Sequence, residues 1–146
     1  MGRRRKAREE TLRILFRLEF EKAQLDKILT QYWKNRRTPE EIKKYSNWLV
    51  HGVISHQEKI DSIIQSVSEH WRISRMALID RNILRMAVFE LVYEENIAPA
   101  IVINEAIEVA KKYSGDEAAA FINGILDAVR KDLENIRKSL KDRNHG

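Results

Sequence analysis

The sequence predicts an all-α fold in a single domain, and three observations carry that expectation. Only five Gly and two Pro occur in 146 residues, too few for the turns of a loop-rich β architecture. Apolar residues make up 43%, enough for a core at this length, and they recur at three- and four-residue spacings along most of the chain. Charged residues reach 34%, above the usual ~25%, which suits long solvated helix faces.

Taken in order, the first helix runs from Ala7 to about Ala23. Its apolar residues Leu12, Ile14, Leu15, Phe16, Leu18 and Phe20 crowd more than one face, so it is expected to pass through the centre of the domain. A shorter helix, Leu25 to Trp33, ends at the basic loop Lys34-Asn35-Arg36-Arg37. Thr38-Pro39-Glu40-Glu41 reads as a helix start, with Thr38 as cap, Pro39 at the first helical position and Glu41 completing a capping box. Ile42, Tyr45, Leu49, Val50 and Val53 line that third helix. Ile60, Ile63, Ile64, Val67 and Trp71 then form the cleanest amphipathic stripe in the chain.

A fifth helix spans roughly Leu78 to Glu94, and Pro99 opens a sixth that ends at Ser114-Gly115-Asp116, with Asp116 as the next cap. The last carries Ile122, Ile125, Leu126, Val129, Leu133, Ile136 and Leu140, and about residues 138–146 form a polar tail expected to fray. About seven helices result, with no internal repeat and no linker. Trp33, Trp48 and Trp71 fall in apolar stripes and are expected in the core. Gly124, inside a helical pattern, suggests a close helix–helix approach, with Asn104 and Asn123 bonding nearby.

The charge is unevenly placed. Residues 1–8 hold Arg3, Arg4, Arg5, Lys6 and Arg8 and no acid; the other 138 residues balance 22 bases against 22 acids. The formal +5 therefore belongs to the start of the chain. An arginine-rich cluster points to a polyanion, because the planar guanidinium matches phosphate oxygens; a solvated basic tail is the plainer reading. Cations at a helix N-terminus oppose the macrodipole, so residues 1–5 are expected to be frayed until an anion binds.

Catalytic patterns are absent from the sequence. The four histidines show no His-Glu-x-x-His spacing, there is no Cys, and no phosphate loop, dinucleotide fingerprint or nucleophile elbow occurs. The acid pairs Glu9/Glu10, Glu40/Glu41 and Glu94/Glu95 read as solvated faces or cap charges. No apolar run approaches membrane length, so a cytoplasmic, non-enzymatic protein without metal or cofactor is expected. Phe121 sits beside the inward position Ile122, where its ring could pack at the core edge or stack on a base.

Several of these features occur together in one family. Arg4-Arg5-Lys6-Ala7-Arg8-Glu9 resembles the arginine-rich motif of the NusB family, and Leu84-Arg85-Met86-Ala87-Val88-Phe89-Glu90-Leu91 its fifth-helix signature. The stretches Val102 to Tyr113 and Phe121 to Asp127 resemble its two most specific C-terminal segments. The resemblance implies seven helices in two small bundles sharing the long first helix. It implies antitermination of ribosomal RNA transcription through boxA RNA, bound together with NusE (a small-subunit ribosomal protein), and through other Nus factors on RNA polymerase. It implies a monomer or a homodimer.

By that resemblance Arg4, Arg5, Lys6 and Arg8 match the RNA-binding motif, with Arg3 as one further cation, and Phe121 matches a position near RNA. Arg75 is added on charge alone. The NusE surface is expected on the exposed sides of the fourth and fifth helices, roughly Gln57 to Glu94. Three alternatives stand beside this one: a protein-interaction region like that ahead of some ribosomal RNA cytosine methyltransferases, a DNA-binding helical protein, and a scaffold whose basic arm is incidental. The first would need a methyltransferase sequence after Gly146; the second lacks a basic recognition helix behind a tight Gly turn.

Overall fold

The computed structural model describes residues 2–145, with side chains for residues 2–141. Among the described residues the regular structure is entirely helical: α1 (Gly2–Phe20), α2 (Leu25–Lys34), α3 (Glu40–Ser55), α4 (Gln57–Val67), α5 (Leu78–Tyr93), α6 (Pro99–Tyr113), α7 (Asp116–Lys131) and α8 (Leu133–His145), with one 3-10 turn at Ile73–Arg75. None of these helices is long and apolar enough to cross a membrane.

The helix at the centre is α5 rather than α1. It packs against α1, α3, α4, α6, α7 and α8, and every residue from Asn82 to Val92 is buried. Total burial of a helix requires its polar side chains to be paired. Arg85 donates to both carboxylate oxygens of Asp61 at 2.8 Å, Asn82 donates to the Leu78 carbonyl at 2.9 Å, and Glu90 accepts from Arg8 and Tyr45. Helix α1 is enclosed only from Ala7 to Leu12 and at Ile14 and Leu15; Phe16 and Phe20 lie in solvent beyond. Its main neighbour is α3, approached through small side chains: Thr11 Oγ1 lies 2.9 Å from Ser46 Oγ and donates to the Ala7 carbonyl at 2.8 Å.

Several sequence expectations are corrected. The seventh helix is two, broken at Asp132, whose carboxylate accepts from the Asn135 side-chain amide at 2.9 Å. The expected tail is helical as far as His145, and the Arg137 guanidinium just before it is anchored. That guanidinium donates to the Leu91 carbonyl at 2.6 and 3.1 Å, near the C-terminal end of α5, where carbonyls lack helical partners and a cation is favoured. Pro39 is the N-cap of α3, with its carbonyl accepting from Ile42 and Lys43, and Thr38 makes no side-chain cap. Gly115, at φ +111°, is the N-cap of α7, a left-handed position suited to glycine.

The close helix approach is at Gly52, not Gly124. A Cβ at Gly52 would run into the Phe89 ring, whereas one at Gly124 meets nothing within 4 Å. Asn104 and Asn123 are exposed with it. The stripe of α4 stops at Val67, and Trp71 lies outside the helix with 61% of its surface exposed; Trp33 is buried and Trp48 half-exposed.

Candidate nucleic-acid interface

The arginine-rich start is helical from Gly2, so residues 2–5 are not frayed. Acids from helices distant in sequence answer its charge. Arg8 donates through Nε to Glu90 Oε1 at 2.6 Å and through Nη2 to Glu90 Oε2 at 2.7 Å, a bidentate pair buried on both sides. Tyr45 of α3 donates to Glu90 Oε2 at 2.7 Å. Arg5 donates through Nε and Nη2 to Glu105 Oε2 of α6 at 2.8 and 2.6 Å, and Arg8 Nη1 lies 3.9 Å from Glu105 Oε1. Two carboxylates beneath the first turns thus offset the unfavourable macrodipole.

This arrangement sorts the five cations. Arg8, 2% exposed, faces inward. Burial works against its charge, but the Glu90 hydrogen bonds and the Glu90 charge outweigh that, so its pKa rises further above the ordinary arginine value. Arg3, Arg4 and Lys6 are exposed, and Arg5 is half-exposed above Glu105. Arg3 holds an exposed ion pair with Glu41 at 2.8 Å, and such a pair is worth little in water. Among the described residues Arg4 pairs with no carboxylate; its guanidinium carbon lies 4.3 Å from the centre of the Tyr45 ring.

Glu9 and Glu10 are not solvated, as their sequence position suggested; both are buried beneath this face. Glu10 accepts from the Tyr32 hydroxyl, from Arg36 at 2.8 and 2.9 Å and from Arg13 at 3.4 Å, and Lys6 stands 3.6 Å away. Burial alone would raise its pKa, but the Tyr32 and Arg36 hydrogen bonds and the Arg36 and Arg13 charges hold it below the ordinary carboxylate value. The same contact and burial push the Tyr32 hydroxyl well up. Glu9 accepts from Lys112 at 3.0 Å and Tyr113 at 3.3 Å. Arg13, Arg36 and Lys112 therefore join the basic face, although sequence spacing alone did not mark them.

Phe121 and Arg75, chosen on different grounds, line one surface hollow of about 440 Å³. Phe121 is half-buried, and the exposed Trp71 meets it edge-on at 6.0 Å between ring centres. Ser114 and Asp80 close the hollow, with Ser114 Oγ donating to Asp80 at 2.6 Å. Helix α6 connects the two regions: Glu105 holds Arg5 at its middle, and Ser114, just past its C-terminal end, borders the hollow about 14 Å further along at 1.5 Å per residue. Among the described residues no cluster of three or more His, Asp or Glu is placed to hold a metal ion.

The buried span of α5 leaves no exposed side between Asn82 and Val92, which narrows the expected protein-docking region there. The most exposed apolar side chain is instead on α1: Phe20 is 68% exposed and packs edge-on against Phe16 at 5.2 Å.

The family model described as the NusB family matches residues 5–131. The transcription antitermination protein NusB of Anaeromyxobacter dehalogenans is 41% identical over 138 residues, covering 94% of this chain and 96% of its own. Among solved structures, T. maritima NusB superposes with a TM-score of 0.80 at 32% identity, covering 88% of this chain and 91% of the other. A structure of the antitermination factors NusB and NusE in complex with double-stranded RNA matches with a TM-score of 0.76 at 29% identity, covering 95% of this chain and 98% of that one. Family model, sequence relatives and fold agree over nearly the whole length, and the chain belongs to the NusB family.

Proposed function

We propose that this chain is a transcription antitermination factor that binds boxA-type single-stranded RNA of nascent ribosomal RNA transcripts jointly with NusE, in the cytoplasm, as part of a Nus factor assembly on RNA polymerase. The observation that carries the RNA reading is the cluster of exposed Arg3, Arg4 and Lys6 with half-exposed Arg5 at a helix start pinned by Glu90 and Glu105. A pinned helix presents its cations without the ordering cost a loose tail would incur on binding. These groups contact phosphate, which attracts and orients but carries little sequence information. Base selection falls to the hollow holding Phe121, Trp71 and Arg75, where an unstacked base can lie on a ring. The role needs no catalytic group.

NusE docking is assigned to the exposed apolar surface of α1 at Phe16 and Phe20. Phe16 and Phe20 stand edge-on at 5.2 Å as one exposed apolar patch beside charged residues, the kind of contiguous patch that a protein contact covers. The test is a titration with single-stranded boxA RNA across salt concentrations, with and without NusE. A duplex arm is included because the similar NusB–NusE complex holds double-stranded RNA. If the four outward cations each meet a phosphate, log affinity falls with log salt with a slope of roughly −2.8, and Arg4→Gln flattens it by about 0.7. Equal affinity for an unrelated single strand with NusE present would refute the boxA assignment.

A further inference from the structure

A second group of rings and cations lies where the first turns of α1 meet α3. Glu41, Lys44, Tyr45 and Trp48 recur at helical spacing on one face of α3, and with Arg3 and Arg4 of α1 they line a hollow of about 430 Å³. Trp48 is 38% exposed, yet it is not loose. Its ring centre lies 5.4 Å from that of Tyr45 and 4.8 Å from that of Phe89, both in tilted contact. Tyr45 is held in turn, its hydroxyl donating to the Glu90 carboxylate that also holds Arg8, and its ring covered by the Arg4 guanidinium.

The hollow carries three cations, Arg3, Arg4 and Lys44, against one acid, Glu41. The Arg3–Glu41 pair is exposed, so a phosphate can displace Glu41 from Arg3 at little cost. A held, partly exposed indole beside surplus positive charge matches a nucleotide: base against the exposed part of the ring, phosphate on the cations. An apolar peptide would leave those cations unanswered.

We propose that Trp48, supported by Tyr45 and Arg4, is a base-stacking subsite for one nucleotide of the single-stranded RNA, separate from the Trp71–Phe121 hollow. Bound RNA would then reach both hollows as well as the arginine cluster. The proposal rests on the RNA-binding reading above and adds to it a place and a residue.

The test uses the full chain labelled with 5-fluorotryptophan. Its three tryptophans give separate fluorine resonances, with Trp48 assigned through Trp48→Phe, and single-stranded boxA RNA is titrated in. The expected result is a saturable shift of the Trp48 resonance, with RNA affinity lowered about 5- to 150-fold by Trp48→Leu. Lys44→Gln should reduce the salt slope as Arg4→Gln does. If RNA binds while the Trp48 resonance and the Trp48→Leu affinity stay unchanged, the subsite is overturned and the RNA-binding reading stands. If no RNA binds to the wild-type chain, both fall. A Trp48 shift with NusE alone and none with RNA would make this a protein-docking face and also overturn the subsite. Should Trp48→Leu lose stability, the resonance of the wild-type chain decides alone.

Discussion

Arg8 of α1 and Glu90 of α5 form a two-pronged ion pair at 2.6 and 2.7 Å, with the two residues only 2% and 1% exposed. The residue that reads in sequence as one more phosphate contact is instead the bolt that fastens the basic helix to the core. Removing one partner leaves the other charge buried and unpaired, which is far more damaging than losing both. Arg8→Met is therefore expected to cost about 3–5 kcal/mol of stability, and Arg8→Met with Glu90→Leu to recover much of that loss. Urea unfolding of the wild type, Arg8→Met, Glu90→Leu and the double variant checks it. RNA affinity of the folded fraction should change less than with Arg4→Gln. Deleting residues 1–8 is not a clean test of the arm, because it removes this pair and the buried Ala7; a deletion ending at Arg4 avoids both.

Gly52 and Gly124, both inside helices, should respond in opposite directions. Gly52→Ala drives a methyl into Phe89, which is itself hemmed in by Trp48 and Tyr93, and should destabilise by about 1–3 kcal/mol. Gly124→Ala places a methyl in open space within α7 and should stabilise by about 1 kcal/mol through helix propensity. Thermal melts of the two variants beside the wild type settle the pair. A destabilising Gly124→Ala would mean that a neighbour approaches there after all.

Glu10 makes stability depend on acid pH. Its folded pKa lies below its ordinary value of 4.5, so its contribution is present above that value and is lost as pH falls through the folded one. At pH 7 Glu10→Gln should cost about 1.5–3 kcal/mol, the worth of hydrogen bonds to a charged group. The gap from wild type should close as pH drops below 4.5. Denaturant midpoints at pH 7, 4.5 and 3 measure it, and a gap that is constant across this range would rule Glu10 out as the source.

Phe20 should matter to the protein partner and to little else. Phe20→Ser alters a mostly exposed side chain, so stability should move by no more than about 0.5 kcal/mol. If the surface docks NusE, the variant should weaken that binding at least about fivefold, a loss of ~1 kcal/mol, while RNA binding by the chain alone stays unchanged. Calorimetric titration with NusE reads the first quantity and the RNA titration the second. Undiminished NusE binding would move the docking surface away from α1.

The helices were largely legible because helical order is local. Apolar spacing placed α2, α5 and α6 nearly where they lie, and the Pro39 and Ser114–Asp116 punctuation marked real boundaries. The misses have physical causes. The split at Asp132 carries no Gly or Pro, and the apolar stripe runs on through it from Val129 to Leu133. Trp71 continues the α4 period in sequence although the helix has ended, because Ser68 and Gln65 draw the chain into a turn. Ser68 donates to the Ile64 carbonyl at 2.9 Å, and Gln65 donates to the Trp71 carbonyl at 3.0 Å. Gly52 gave no signal at all, since what it accommodates is a ring from another helix.

By itself, the sequence determined a set of amphipathic helices, a body of balanced charge and a surplus of arginine at one end. Those follow from composition and from the 3.6-residue period, both readable along a single strand of chain. Only the tertiary structure decided which of those cations reach solvent. Arg8 meets Glu90 across 82 positions and Arg5 meets Glu105 across 100, and Phe121 acquires Trp71 and Arg75 as neighbours only when three segments converge. Such pairings depend on how the helices pack, and packing is set by the whole buried surface rather than by any local run of residues.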